Sequence, residues 1–271
     1  MEKAMDAEND VPRIVLVGLA SCFGCQINIT NIEHHLMDVL GQIDMRYWQL
    51  TSSDPMPEEF DVAVIEGAVT TEEALNTVID LRKRARSVIT IGACAATAGI
   101  PGMATPAYDG RQQTVYGEHV PQIVSDIAFA PRAVKDVIDV DFEVACCPID
   151  PLDFVSVLQH ALYGSNVYRR SSTLCGECKN NERGCFYGRQ TLCLGLVTRA
   201  GCGARCPNLG RPCNGCAGLS PDANIDAARS VAERASVPIW RFDEALEMFN
   251  QLDPTIAEEQ QTPQASDSAK N

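Results

Sequence analysis

Residues 11–25 read VPRIVLVGLASCFGC, and this stretch decides the fold. Its apolar run, from Val11 to Leu19, predicts a β-strand that is buried on both faces. Two cysteines with CxxC spacing, Cys22 and Cys25, follow the strand directly. Ligands of open parallel sheets collect at the carboxyl ends of the strands, so this pair marks a candidate site.

Four more apolar runs alternate with helical stretches along the first part of the chain. They are IDMRYWQL, DVAVIEG, SVITIG and DFEVACC, which begin at residues 43, 61, 87 and 141. Helices are predicted over residues 27–40, 71–86 and 151–162, with Thr71 as the cap of the second. Because strands separated by helices form βαβ units, the predicted fold class is α/β with a parallel sheet.

Composition and charge exclude several classes of protein. The chain has 271 residues, 45% of them hydrophobic, and its net charge of −14 leaves no basic stripe for nucleic acid. No apolar run reaches the roughly 18 residues of a membrane span. The acidic N-terminus lacks a signal-peptide stretch, so we expect a cytoplasmic protein. Since that compartment keeps thiols reduced, the 13 cysteines are not a disulfide framework.

Eight cysteines crowd the stretch between Leu174 and Gly218, which has too few large apolar residues to build a core of its own. They form two contiguous quartets: Cys175, Cys178, Cys185 and Cys193, then Cys202, Cys206, Cys213 and Cys216. Four thiolates suit one iron–sulfur cubane or one structural zinc. The spacing therefore predicts two metal sites and leaves both chemistries open.

A third set of thiols follows three different predicted strands. Cys22 and Cys25 follow the first, Cys94 follows the fourth, and Cys147 follows the fifth. The carboxyl ends of parallel strands meet at one edge, so we expect these thiols to converge there. A thioredoxin-like dithiol would leave Cys94 and Cys147 without a role. Cys147 is preferred over Cys146 as the fourth ligand because a proline follows it.

Glu66 ends the third strand and should face the same crevice. It is a candidate for a proton relay or for a hydrogen-bonding group beside a cluster, with turn capping and direct ligation as alternatives. His34 and His35 are expected to be surface residues. The stretch from Ile100 to Val120 lacks periodicity and is predicted to be a long functional loop.

Iron–sulfur clusters explain three metal sites in one chain better than zinc does. Three clusters in line suit electron transfer, whereas a sheet that folds by itself has no need of three structural zinc ions.

The motifs LASCFGCQ, VIEGAVTTEEA, IGACAA, CCPIDPLDF and CLGLVTRAGCGARCPNLGRPCNGCAG resemble the small subunit of nickel–iron hydrogenases. Within that family, the chain most resembles the delta subunit of cytoplasmic NAD(P)-linked sulfhydrogenases. It is also similar to the corresponding subunits of F420-linked and methyl-viologen-linked hydrogenases. The resemblance covers about residues 12–220 and includes all three cysteine groups in order.

The resemblance implies a flavodoxin-like domain with a proximal 4Fe–4S cluster, followed by medial and distal clusters. The implied proximal ligands are Cys22, Cys25, Cys94 and Cys147. The second quartet resembles the medial ligands, and the first quartet resembles the distal ones. One departure is that Cys146 stands where the family usually has glycine.

The resemblance also implies two kinds of partner, a nickel–iron large subunit and flavin- and iron–sulfur-containing reductase subunits. The predicted division is a flavodoxin-like domain (12–165), a two-cluster segment (166–220), C-terminal helices (221–252) and a disordered tail (253–271). Two alternatives remain, a complex I-like electron-transfer subunit and a zinc-stabilised interaction module.

Overall fold

The computed structural model describes residues 11–32, 38, 41–105, 108–119, 128–167, 171–179, 182 and 184–256. Its elements are, in chain order, β1 Arg13–Gly18, α1 Gly24–Thr30, β2 Asp44–Trp48, β3 Val62–Glu66, β4 Val69–Thr71, α2 Glu72–Arg84, β5 Ser87–Ile91, α3 Gly92–Thr97, α4 Gly99–Gly102, α5 Tyr108–Tyr116, β6 Ala128–Arg132, β7 Phe142–Val144, α6 Pro151–Leu162, α7 Cys175–Cys178, α8 Arg205–Asn208, α9 Ile225–Arg234 and α10 Ile239–Asn250.

These elements belong to two compact units. Unit 1 takes the described residues within Met1–Ala96, Pro121–Phe129 and Ala133–Tyr168. Unit 2 takes those within Thr97–Val120, Ala130–Arg132 and Arg169–Asn271.

A five-stranded parallel sheet in the order β2-β1-β3-β5-β7 forms the centre of unit 1. All five predicted strands are present, which confirms the α/β fold class. The chain turns to opposite sides of β1 when it forms β2 and β3, so the strand order reverses there and creates a crevice. Gly18, the last residue of β1, pairs with Glu66, the last residue of β3.

Buried side chains cover both faces of this sheet. Leu16 and Ile89 belong to the apolar layer on the side of α6, and Val15 and Ile65 to the layer on the side of α2. Apolar residues point to both faces because consecutive side chains of a strand alternate. As predicted, Thr71 caps α2 by accepting a hydrogen bond from the backbone N–H of Ala74.

Unit 2 packs the cysteine segment against the C-terminal helices. Leu194 and Val197 share an apolar cluster with Phe242 and Leu246 of α10. A smaller cluster contains Leu174, Phe186, Cys193, Ala204 and Cys213. The segment thus shares an apolar core with helices that follow it in the chain, a contact that its own composition did not predict.

The prediction of an irregular loop from Ile100 to Val120 is wrong for much of its length, because the helices α4 and α5 lie there. The side chains described in α5 are half-buried or exposed, so this helix needs no apolar stripe and gives no periodic signal. The acidic N-terminus up to residue 10, residues 33–37 of the predicted helix with His34 and His35, and most of the tail lie outside the described residues. No helix among the described residues is long and apolar enough to cross a membrane.

Candidate functional site

The CxxC motif lies at the carboxyl end of β1 in unit 1. Cys22 is exposed, whereas Cys25, in the first turn of α1, is buried. The backbone N–H of Cys25 donates a hydrogen bond to Oε1 of Glu66 over 3.2 Å. The pairing of β1 with β3 brings that carboxylate to the motif, so Glu66 faces the crevice as the sequence predicted.

Gly92 lets the start of α3 approach the buried thiol. A Cβ atom at this position would lie 2.5 Å from Sγ of Cys25, and the backbone φ of +82° also favours glycine. The next residue, Ala93, donates its N–H to the carbonyl oxygen of Cys146 over 2.9 Å. The ends of β5 and β7 therefore reach Cys25 together.

The electrostatic surroundings of Cys25 identify the thiols that lie near it. Burial raises the pKa of Cys25, and a backbone N–H of Ile149 opposes that shift. The negative charges of Glu66, Cys147 and Cys94 raise this pKa further. Cys25 thus lies near Cys94 and Cys147, the two partners that the sequence assigned from other strands.

Cys146 has a different environment from its neighbour. Its φ of +95° is in the left-handed region that favours glycine. Its side chain is half-buried, whereas the side chain of Cys147 is exposed beside the crevice. The departure from the family pattern thus falls on a position where the backbone itself favours glycine.

Two buried polar side chains of unit 1, Glu66 and Gln26, each have an atom without a hydrogen-bond partner among the described residues. The side chain of Glu66 is 2% exposed, and its Oε2 has no hydrogen-bond partner among the described residues. Gln26, which is fully buried, accepts a hydrogen bond from Nε1 of Trp48 over 2.9 Å, while its Nε2 has no partner in the described chain. The sequence reasoning missed Gln26; its one signal was its place directly after the CxxC motif.

The first quartet of unit 2 converges on one region. Burial, together with the negative charges of Cys193, Cys178 and Cys185, raises the pKa of Cys175 to about 11. A Cβ atom added at Gly195 would lie 3.5 Å from Sγ of Cys175 and 3.6 Å from Sγ of Cys193. The four thiols of the first quartet are therefore neighbours, and Gly195 lies in contact with two of them.

The thiols of the second quartet also lie near one another, next to Cys193 of the first quartet. Burial raises the pKa of Cys206, and the negative charges of Cys216 and Cys202 act in the same direction, against the positive charge of Arg205. Burial also raises the pKa of Cys213, to about 12. The charges of Cys193 and Cys216 contribute to that rise.

Backbone N–H groups point at sulfur atoms in this region. The N–H of Cys213 donates to Sγ of Cys193 over 3.2 Å, and the N–H of Gly215 donates to Sγ of Cys213 over 3.4 Å. Such donors stabilise thiolate and tune the metal that it binds. All-sulfur donor sets with N–H donors fit iron–sulfur clusters. Among the described residues, no group of three or more His, Cys, Asp or Glu side chains is arranged to hold a single metal ion.

A cavity of about 690 Å³ in unit 1 is separate from these thiols. Residues of β1, β2 and α2 line it, among them Gln49, Thr77 and Arg84, and none of the lining residues is a cysteine.

Comparison with known proteins identifies the chain. The family model described as NADH ubiquinone oxidoreductase, 20 Kd subunit, matches residues 22–161, about half of the sequence. The sulfhydrogenase 2 subunit delta of Pyrococcus furiosus is 32% identical, over 76% of this chain and 86% of that protein. The chain belongs to this family, as the small subunit of a nickel–iron hydrogenase.

Two further comparisons agree with the identification of this chain as a hydrogenase small subunit. The iron-sulfur subunit of an F420-non-reducing hydrogenase from Archaeoglobus profundus is 26% identical, over 82% of this chain and 86% of that protein. A chain of the NAD+-reducing NiFe hydrogenase in its H2-reduced state has the same fold. It is 23% identical with a TM-score of 0.54, and the match covers 59% of this chain and 96% of that one. The hydrogenase small subunit is thus an iron–sulfur subunit that transfers electrons and pairs with a large subunit.

Proposed function

We propose that this small subunit relays electrons through three 4Fe–4S clusters between the nickel–iron large subunit and a flavin- and nicotinamide-linked reductase. The observation that carries the proposal is the grouping of the cysteines. The thiols near Cys25 come from three strand ends, and the eight thiols of unit 2 form two neighbouring groups. When bound, the clusters supply the sites between which single electrons move.

We assign four cysteines to each cluster. The proximal ligands are Cys22, Cys25, Cys94 and Cys147; the medial ligands are Cys202, Cys206, Cys213 and Cys216; the distal ligands are Cys175, Cys178, Cys185 and Cys193. The chain's own residues bury or half-bury most of these thiols and direct N–H groups at two of the sulfur atoms. Thiolate ligation throughout favours low reduction potentials, which suit a nicotinamide acceptor.

Glu66 is our candidate for moving a proton at this site. Its Oε1 accepts the N–H of Cys25, while its buried Oε2 has no partner among the described residues. A buried carboxylate oxygen normally has a hydrogen-bond partner, so Oε2 is available to accept and release a proton.

The partners follow from the relatives and from the exposed surface. Pyrococcus furiosus uses a similar chain in a sulfhydrogenase, and the structure with the same fold is a NAD+-reducing enzyme. We therefore propose a cytoplasmic complex with a reductase, without nucleic acid or membrane. Val115 of α5 is 71% exposed and Ile100 of α4 is 47% exposed, so these helices offer apolar surface to the large subunit.

We also retain the domain division as a proposal. Residues 12–165 would form the flavodoxin-like domain, 166–220 the two-cluster segment and 221–252 the helical end, with a disordered tail at 253–271.

Elemental analysis of anaerobically purified protein tests the proposal directly. We expect about twelve irons and as many sulfides per chain, a brown colour, and electron paramagnetic resonance (EPR) signals of reduced 4Fe–4S clusters. Colourless protein that contains zinc would support the zinc-stabilised interaction module. About four irons per chain would support the complex I-like subunit with one cluster.

A further inference from the structure

One buried hydroxyl group near the first quartet has no acceptor for its proton. Tyr187 lies in the 3-10 turn Phe186–Arg189, which begins directly after Cys185. Its phenol oxygen is buried, and no group in the described part of the chain accepts a hydrogen bond from it. Buried tyrosine hydroxyl groups nearly always have a partner, so this one needs an explanation.

The turn holds Tyr187 firmly in place. The N–H of Gln190 donates to the carbonyl oxygen of Tyr187 over 3.1 Å. Phe186 is buried in the apolar cluster with Leu174 and Cys193, and the guanidinium of Arg189 stacks over its ring at 4.5 Å. The ring of Tyr187 packs against the same cluster. The hydroxyl group therefore has a fixed position and does not reach solvent.

Cysteines of the first quartet are neighbours of Tyr187. This residue lies two positions after Cys185, and its ring packs against the apolar cluster that contains Cys193. A neutral tyrosine hydroxyl group has a proton to donate, and the N–H of Cys193, which faces the phenol oxygen, is itself a donor. An N–H group cannot accept its proton, which leaves sulfur as the acceptor.

We propose that the Tyr187 hydroxyl donates a hydrogen bond to the cluster that the first quartet holds, and thereby raises its reduction potential. The inference rests on the proposed function, because it needs a cluster at Cys175, Cys178, Cys185 and Cys193. A reduced cluster carries one more negative charge than the oxidised one. A donor aimed at its sulfur atoms stabilises the reduced form, which makes Tyr187 a positioning and tuning residue.

EPR-monitored redox titration of the purified complex tests this role. Tyr187→Phe keeps the ring and removes only the hydroxyl group. We expect the midpoint potential of one cluster to fall, with unchanged iron content and unchanged potentials for the other two. Cys185→Ser should move the potential of the same cluster, which assigns the signal. Tyr163→Phe, at a tyrosine of unit 1 that is 79% exposed, is the matched control and should change nothing.

A second variant tests the same role if Tyr187→Phe loses the cluster. Incorporation of 3-fluorotyrosine at position 187 keeps the shape and makes the hydroxyl group a stronger donor. The same midpoint potential should then rise above that of the wild type, an effect that a packing role would not produce. If the wild-type protein contains its clusters and the potentials of this variant are unchanged, the inference is overturned and the proposed function stands. Wild-type protein without clusters would instead overturn the proposed function, and the inference with it.

Discussion

Gly92 lies so close to Cys25 that a methyl group on its Cα would come within 2.5 Å of the sulfur atom. Gly92→Ala should therefore displace the thiol and lose the proximal cluster, because two atoms cannot approach to 2.5 Å and the sulfur atom has to shift. We expect the iron content to fall by about four atoms per chain, measured by elemental analysis.

The matched control for that change is Gly117→Ala. Gly117 also has a positive φ, +59°, but no atom lies within 4 Å of the added Cβ. It carries the conformational strain without the clash. Equal loss of iron in both variants would show that strain, and not the contact with Cys25, explains the result.

The paired positions Cys146 and Cys147 should respond differently to substitution. Cys146→Gly should keep all three clusters and stabilise the folded chain by about 1 kcal/mol, because its φ of +95° favours glycine. Cys147→Ala should lose the proximal cluster. Iron analysis and thermal unfolding measure both effects. Retention of the cluster in Cys147→Ala together with its loss in Cys146→Gly would reverse the ligand assignment.

Cys94 tests whether distant strands share one cluster. Cys94→Ala should remove the proximal cluster and abolish H2-dependent reduction of the reductase partner, because the relay loses its first site. EPR spectra should still contain the signals of the other two clusters. H2-driven turnover at the wild-type rate would contradict the assignment.

Two substitutions at Glu66 separate a proton-transfer role from a structural one. Glu66→Gln keeps an oxygen that accepts a hydrogen bond from the N–H of Cys25. The amide group of glutamine does not take up and release a proton as a carboxyl group does. We expect an unchanged iron content and H2-driven turnover at least about tenfold lower, in the usual range for loss of a general acid or base. Turnover and iron are measured on the same preparation.

Glu66→Ala additionally leaves the buried N–H of Cys25 without an acceptor. It should lower the free energy of unfolding by about 1–3 kcal/mol and weaken retention of the proximal cluster. If Glu66→Gln turns over normally and only Glu66→Ala loses activity, the hydrogen bond alone explains the role of Glu66.

The sequence predicted most of the fold because the signals are local. Each of the five strands of the sheet is an apolar run, and α6 matches its predicted bounds of 151–162. The helix α5 escaped prediction because its described side chains are largely exposed, and a helix without a buried face needs no apolar stripe. The two quartets of unit 2 were predicted from spacing, since the members of each follow one another along the chain, and their ligand roles stay a prediction.

The contacts that define the sites could not be predicted from the sequence in the same way. The hydrogen bond from Cys25 to Glu66 joins residues 41 positions apart, and it exists because β1 and β3 are neighbours in the sheet. The hydroxyl group of Tyr187 is buried, without an acceptor among the described residues, because its ring packs against the apolar cluster of unit 2. Neither has a local signal in the sequence.

The sequence by itself determined the class of fold, the three groups of cysteines and the family, because apolar periodicity and ligand spacing are properties of short segments. Only the tertiary structure decided how the strand ends meet, why residue 92 is glycine, that Cys146 has a glycine-like backbone and that the hydroxyl group of Tyr187 is buried. Those features depend on pairing and burial between segments far apart in the chain, and a linear pattern does not encode distances between such segments.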